Sequence, residues 1–115
     1  MAYVVTVKWR ALEGEEDAIR EILEALTPLV RGEEGCVMYV AHQSVDDRRD
    51  FFLYEQYIDE AAFIAHTQAD HFNEHVLGRA VPKLESRERG LYTTMDLPDC
   101  SATPGRRVLR KPSPY

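Results

Sequence analysis

The sequence is poor in cysteine, in long apolar runs and, over most of its length, in positive charge. Two cysteines among 115 residues, Cys36 and Cys100, make no disulfide framework and show no zinc-type pair spacing. A reducing, cytoplasmic setting is therefore expected. No stretch approaches the roughly 18 to 20 unbroken apolar residues of a membrane span, so no membrane partner is expected either. The opening Met1-Ala2-Tyr3-Val4-Val5 runs straight into strand-like sequence, without the basic start, apolar stretch and small-residue cleavage site of a secretory signal. Residues 1–96 carry ten Lys and Arg against nineteen Asp and Glu. Such an acidic body argues against nucleic acid, whose phosphates need a basic face. Arg106, Arg107, Arg110 and Lys111 share the last stretch with four of the six prolines. That stretch reads as a solvated or loosely docked extension.

What is present, 44% hydrophobic and 30% charged residues, is the mix of one globular domain with a sizeable core. Residues 3–10 are rich in β-branched and aromatic types and read as a strand. From Glu15 to Val30 the apolar residues Ile19, Ile22, Leu23, Leu26 and Val30 fall on one helical stripe. Acids crowd its first turn, and Arg31-Gly32 supply the stop. Residues 36–44 and 51–58 read as strands around the polar loop 46–50. Asp59 is a suitable N-cap for a short helix carrying Ala62, Phe63 and His66. A second helical stretch runs through Phe72, Val76 and Ala80 until Pro82 disturbs it, and 86–95 reads as a fourth strand.

The order strand, helix, strand, strand, helix pair, strand is that of an α+β, ferredoxin-like split β-α-β fold with an antiparallel sheet. Residues 1–97 are expected to form this domain and 98–115 a Pro-rich basic C-terminal extension. Val4, Val5, Val7 and Trp9, then Phe51 to Tyr54, suggest strands that are apolar on both faces. Helices cover one face only, and monomers rarely leave several hundred Å² of the other exposed. A second copy of the same sheet is the expected cover, which makes a homodimer, a dimeric α+β barrel.

Three stretches and their order resemble one known family. They are Glu34-Gly35-Cys36-Val37-Met38-Tyr39 entering the second strand, Phe52-Leu53-Tyr54-Glu55-Gln56-Tyr57 in the third, and Asp59-Glu60-Ala61-Ala62-Phe63-Ile64-Ala65-His66 continuing to Asp70-His71-Phe72. The chain is similar over residues 3–96 to the antibiotic biosynthesis monooxygenase (ABM) domain proteins, and most to their quinol monooxygenase-like branch. The resemblance implies back-to-back sheets and, in each subunit, a pocket between sheet and helices. Many members use that pocket for oxygenation without metal or flavin. The same family holds haem-degrading enzymes, an isomerase and members with no assigned activity, so fold follows from membership more directly than reaction does.

Cofactor-independent oxygenation needs a substrate anion able to give an electron to O2. The protein must supply a base, a dry aromatic-lined cavity and dipoles that hold the anion. The candidate catalytic residues are His66, on the core-facing side of its helix, His71, in the first turn of the next, and Glu55, a carboxylate inside an apolar strand. Either histidine would be the base and Glu55 would orient one of them. Tyr39, Phe52, Tyr54, Phe63, Phe72 and Trp9 could wall a flat aromatic substrate, and Trp9 could equally lie in the dimer contact. Asn73 and His75 are further candidate contacts. His71 and His75 stand i, i+4 apart, but without the Glu of metalloprotease helices or an evident third ligand, so no metal is expected. In the haem-degrading branch an Asn, a Trp and an axial His form the reactive site. Val7 stands here for the Asn and His66 for the Trp, and the axial His falls near Val76, one residue past His75, which argues against haem degradation and leaves haem binding as a lesser alternative.

The leading expectation is thus a cofactor-independent monooxygenase acting with O2 on a phenolic, quinol or polyketide-like aromatic. The alternatives are a haem-degrading or isomerase member of the same fold, and a non-enzymatic dimeric module that binds a small ligand or is associated with stress, whose histidines merely stabilise it.

Overall fold

A computed structural model describes residues 1–95. The elements are β1 (Tyr3–Ala11), α1 (Glu16–Arg31), β2 (Cys36–Gln43), β3 (Asp50–Tyr57), α2 (Glu60–Thr67), α3 (Phe72–Ala80), a short 3₁₀ turn (Val81–Lys83) and β4 (Leu84–Thr93). The expected extension 98–115 lies outside the described residues.

The strands pair in the order β2-β3-β1-β4, and every neighbouring pair is antiparallel. This is the ferredoxin-like α+β arrangement expected from the sequence. The stripe Ile19, Ile22, Leu23, Leu26 and Val30 is buried as the periodicity requires, and it lays α1 over β2 and against α3. Pro28 sits inside α1, and Gly32 N–H returns to the Pro28 carbonyl at 3.1 Å to close the last turn. Asp59 caps α2: its carboxylate accepts from Ala62 N–H at 2.9 Å. α3 departs from an α-helix. It is wound as a π-helix, with Val81 N–H reaching back to the Val76 carbonyl. Such windings are rare and occur frequently at functional sites.

Pairing register sorts the sheet into two faces. Tyr3, Val5, Val7 and Trp9 of β1 stand opposite Tyr57, Glu55, Leu53 and Phe51 of β3, and these residues form the core beneath the helices. Val4, Thr6 and Lys8 stand opposite Gln56, Tyr54 and Phe52, and Tyr92 pairs with Val4 from the other side. The reading of β1 as apolar on both sides is thereby corrected. Successive strand residues point to opposite faces, so Val5, Val7 and Trp9 share the covered one. The far face of β1 has only Val4, alongside Thr6, Lys8 and Arg10. The far face keeps an apolar cluster through β2, β3 and β4: Met38, Val40, Phe52, Tyr54 and Tyr92, of which Met38 and Tyr92 are exposed. None of the helices among the described residues is long and apolar enough to cross a membrane.

Candidate active site

A cavity of about 640 Å³ lies between the sheet and helices α2 and α3. Val5, Val7, Trp9 and Leu53 make its apolar floor, and Tyr39, Phe63 and Phe72 supply aromatic walls. Arg87 and Arg89, both exposed on β4, stand at the rim. The Arg89 guanidinium carbon lies 5.5 Å from the centre of the Phe63 ring, a cation–π distance. Two buried polar side chains, Glu55 and His66, break the apolar lining, and Thr67 and the exposed Glu88 also border it.

The pleat explains Glu55. In β3 the residues 51, 53, 55 and 57 all point under the helices, so the carboxylate is carried inward between Leu53 and Tyr57 and is only 4% exposed. Its Oε1 accepts a 2.7 Å hydrogen bond from the Tyr57 hydroxyl. Burial pushes the Glu55 carboxyl up to about 7, although the Tyr57 hydroxyl pulls the other way. Tyr39 is pushed well above the ordinary tyrosine value, first by burial and then by the charge of Glu55, so it stays a neutral phenol.

His66 is 3% exposed. Its Nδ1 lies 2.9 and 3.1 Å from the two carboxylate oxygens of Glu33. An ionised carboxylate only accepts, so Nδ1 carries the ring proton and donates. Nε2 is then left with its lone pair, 3.9 Å from Glu55 Oε1 on the cavity side. Burial holds His66 below the ordinary histidine value, against the upward pull of Glu33. The ring is further fixed among Tyr57, Phe63 and Phe72, with centroids 5.2 to 6.2 Å away.

His71 does not line the cavity. Its Nε2 donates to Glu33 Oε2 at 2.5 Å, behind His66. Glu33 thus takes the orienting role that the sequence reading gave to Glu55, and it holds both rings at once. Nothing local in the sequence pairs Glu33 with residues 33 and 38 positions later. The available signal was the neighbouring Gly35. A Cβ there would stand 2.4 Å from Ala62 Cβ, so only glycine lets this turn lie against α2 and bring Glu33 to His66. Ile58 N–H donates to the Gly35 carbonyl at 2.9 Å and fixes the turn.

Of the other expected contacts, Tyr39, Phe63, Phe72 and Trp9 meet at the cavity. Phe52 and Tyr54 do not: alternation puts them on the far face, with the sheet between them and His66. Asn73 and His75 lie outside the lining. His75 Nδ1 accepts from Arg79 at 3.3 Å and its Nε2 is 3.8 Å from Glu74. The i, i+4 pair His71 and His75 does not converge: His71 turns to Glu33, while His75 meets Arg79 and Glu74. The convergent group is instead Glu33, His66 and His71, whose ligand atoms all lie within 4.8 Å of one another. Val7 and Val76, at the positions that would supply an Asn and an axial ligand in a haem site, do line the cavity. Neither side chain has a donor atom.

Comparison with known proteins agrees with this architecture. A Shewanella oneidensis protein of known structure shares 27% identity, covering 79% of this chain and 88% of its own, with a TM-score of 0.75. A Pseudomonas aeruginosa protein shares 26%, covering 82% and 94%, with a TM-score of 0.76. A structure described as an antibiotic biosynthesis monooxygenase shares 20% over 83% and 99% of the two chains, with a TM-score of 0.75, a likeness of fold. No curated protein matches significantly. The sequence profile described as antibiotic biosynthesis monooxygenase matches residues 2–76, from β1 through the Glu33–His66–His71 cluster into α3. The chain belongs to the antibiotic biosynthesis monooxygenase (ABM) family.

Proposed function

We propose that this protein is a cofactor-independent monooxygenase that oxidises a phenolic, quinol or polyketide-like aromatic with O2. The observation that carries the reading is the aromatic-walled cavity of about 640 Å³ with His66 Nε2 and Glu55 Oε1 3.9 Å apart on its wall. A substrate hydroxyl lying between the two loses its proton to this pair. Glu55 at about 7 is poised for proton transfer near neutrality. Glu33 keeps the His66 proton on Nδ1 and so keeps Nε2 an acceptor. It acts through His66 and is a positioning residue, as His71 is behind it. The rim charges Arg87 and Arg89 favour the aromatic anion that results. The anion reduces O2; one oxygen atom ends in the product carbonyl and the other leaves as water, with the substrate supplying all the electrons. No resident haem, flavin or metal is required for this chemistry.

The same reading has the protein acting as a cytoplasmic homodimer. Met38, Val40, Phe52, Tyr54 and Tyr92 gather on the one sheet face that no helix covers, and a second copy of that face is the partner it fits.

Oxygen uptake with a panel of hydroquinones and anthrones tests the activity. Glu55→Gln and His66→Gln should each lower kcat at least about 100-fold, within the range for a lost general base. His71→Asn should lower it less. Uptake unaffected in folded Glu55→Gln/His66→Gln protein sinks the assignment. A second reading rests on the Glu33 bridge: it ties the β2 entry, α2 and α3 together, as a purely structural network in a ligand-binding module would. In that case all these variants lose melting temperature, and the wild type turns over no quinol.

A further inference from the structure

We infer that Glu33, His66 and His71 form a binding site for a first-row divalent cation of the zinc type, held behind the cavity wall. Glu33 Oε2 lies 2.9 Å from His66 Nδ1 and 2.5 Å from His71 Nε2. The three ligand atoms lie within 4.8 Å of one another and come from three separate segments: the α1–β2 turn, α2 and the start of α3. Two imidazoles and one carboxylate are the donor set that leaves an open position in three-ligand zinc sites, and the set equally suits cobalt or ferrous iron. Neither Glu33 nor His71 lines the cavity, so the cation lies outside the substrate space.

Charge favours the same conclusion. Among the described residues the Glu33 carboxylate has only the two histidine rings as ion-pair partners, with no lysine or arginine within reach. Its side chain is only 16% exposed. A second carboxylate, Glu55, lies on the other side of the same imidazole. A divalent cation supplies the missing positive charge. Residual exposure of the Glu33 side chain and of His71, at 16% and 21%, gives the ion a way in from water. In the ion-free state both ring N–H groups donate to Glu33, so the three ligands are already gathered. Binding moves the His66 proton from Nδ1 to Nε2 and the His71 proton from Nε2 to Nδ1, and no proton need leave the protein.

That tautomer shift has a consequence which rests on the oxygenase reading above. With the cation on Nδ1, His66 presents an N–H to the cavity and can no longer accept a substrate proton. Zinc is then an inhibitor, and the relay and metal states of the cluster exclude each other.

Calorimetric titration of the metal-stripped, full-length chain with ZnCl2 tests the site, and visible spectra with CoCl2 report its geometry. One Zn²⁺ per chain is expected, with Co²⁺ ligand-field bands. Glu33→Gln keeps the side-chain shape and an acceptor oxygen, and it should weaken Zn²⁺ binding by at least about 100-fold, the upper end of what losing even an outer partner costs. His71→Asn should do the same, and each variant's fold is checked by circular dichroism. His42→Ala, an exposed histidine on the far face, should change nothing. Absence of binding heat, or Zn²⁺ affinity lost in His42→Ala and kept in Glu33→Gln, overturns the site. Calorimetry decides this whether or not the chain oxidises quinols, and Zn²⁺-dependent loss of oxygen uptake tests the inhibition separately.

Discussion

The two faces of the sheet are made by the same four strands and meet opposite fates. Under the helices stand Val5, Trp9, Phe51, Leu53 and Tyr57, each nearly or wholly removed from water. On the far side stand Val40, Phe52 and Tyr54, half-buried, with Met38 and Tyr92 exposed and Thr6, Lys8 and Gln56 among them. The covered face admits polar groups only where function or a partner accounts for them. Glu55 meets the Tyr57 hydroxyl, and His66, packed on it from α2, meets Glu33. The far face, which no helix covers, mixes polar and apolar freely. Chemistry is therefore expected on the closed side and association on the open one.

The sharpest break between the faces is in stability. Leu53→Ala removes a side chain 1% exposed in the middle of the core and should cost about 2 to 5 kcal/mol in urea unfolding. A loss below about 1 kcal/mol would mean the covered face is not the core.

Glu55 gives the next largest effect, and its sign can be worked out. The group titrates at about 7 in the folded chain and at 4.5 in the absence of the fold. The folded state thus holds its proton more tightly, and stability from this group is lost as pH rises from about 4.5 to about 7. His66 works oppositely. Its folded value is depressed, so stability falls as pH drops through its ordinary value of 6.5. Comparing Glu55→Gln with wild type isolates the first slope. The variant should gain on wild type by up to about 3 kcal/mol between pH 4.5 and pH 8. A difference that does not change with pH would mean Glu55 titrates normally.

Gly35→Ala comes third. The new Cβ would lie 2.4 Å from Ala62 Cβ, an overpacking that costs about 1 to 3 kcal/mol and pushes Glu33 away from His66. Ala62→Gly in the same chain should restore part of the stability and the Glu33–His66 contact. That contact is read from the chemical shift of the His66 ring Nδ1 proton. If the single variant is as stable as wild type and keeps that signal, the turn is looser than the geometry requires.

How far these features could be read in advance depended on how local their causes are. The stripe Ile19 to Val30, the Asp59 cap and the succession of strands and helices follow from short-range pattern, and each is found at its expected place. The inward turn of His66 was legible for the same reason. Glu33 was not, because its role depends on a contact across 33 residues made possible by an absent Cβ. Phe52 and Tyr54 were misplaced because a run of four apolar residues in β3 conceals which pair faces the helices. Only the register with Val7 and Trp9 decides it. The π winding of α3 left no recognisable mark in the sequence.

The smallest effect on the chain's own stability belongs to the far face, and it is the one that tests what the far face is for. Tyr54 stands at the centre of that face, in β3 between β1 and β2, with its hydroxyl 3.3 Å from Gln56 Oε1. In an isolated subunit, Tyr54→Lys moves a charge onto a half-exposed position and should change stability by no more than about 0.5 kcal/mol. In a back-to-back dimer the same substitution brings a lysine from each subunit into an apolar contact, where unpaired charge is costly. Folding and association then separate cleanly. The wild-type unfolding midpoint should rise with protein concentration, since assembly stabilises only the folded state. The Tyr54→Lys midpoint should be lower and independent of concentration, and sedimentation should find it monomeric with its secondary structure intact. A wild-type midpoint that ignores concentration at micromolar protein would leave the far face without a partner, and the difference between the two faces would then be one of packing alone.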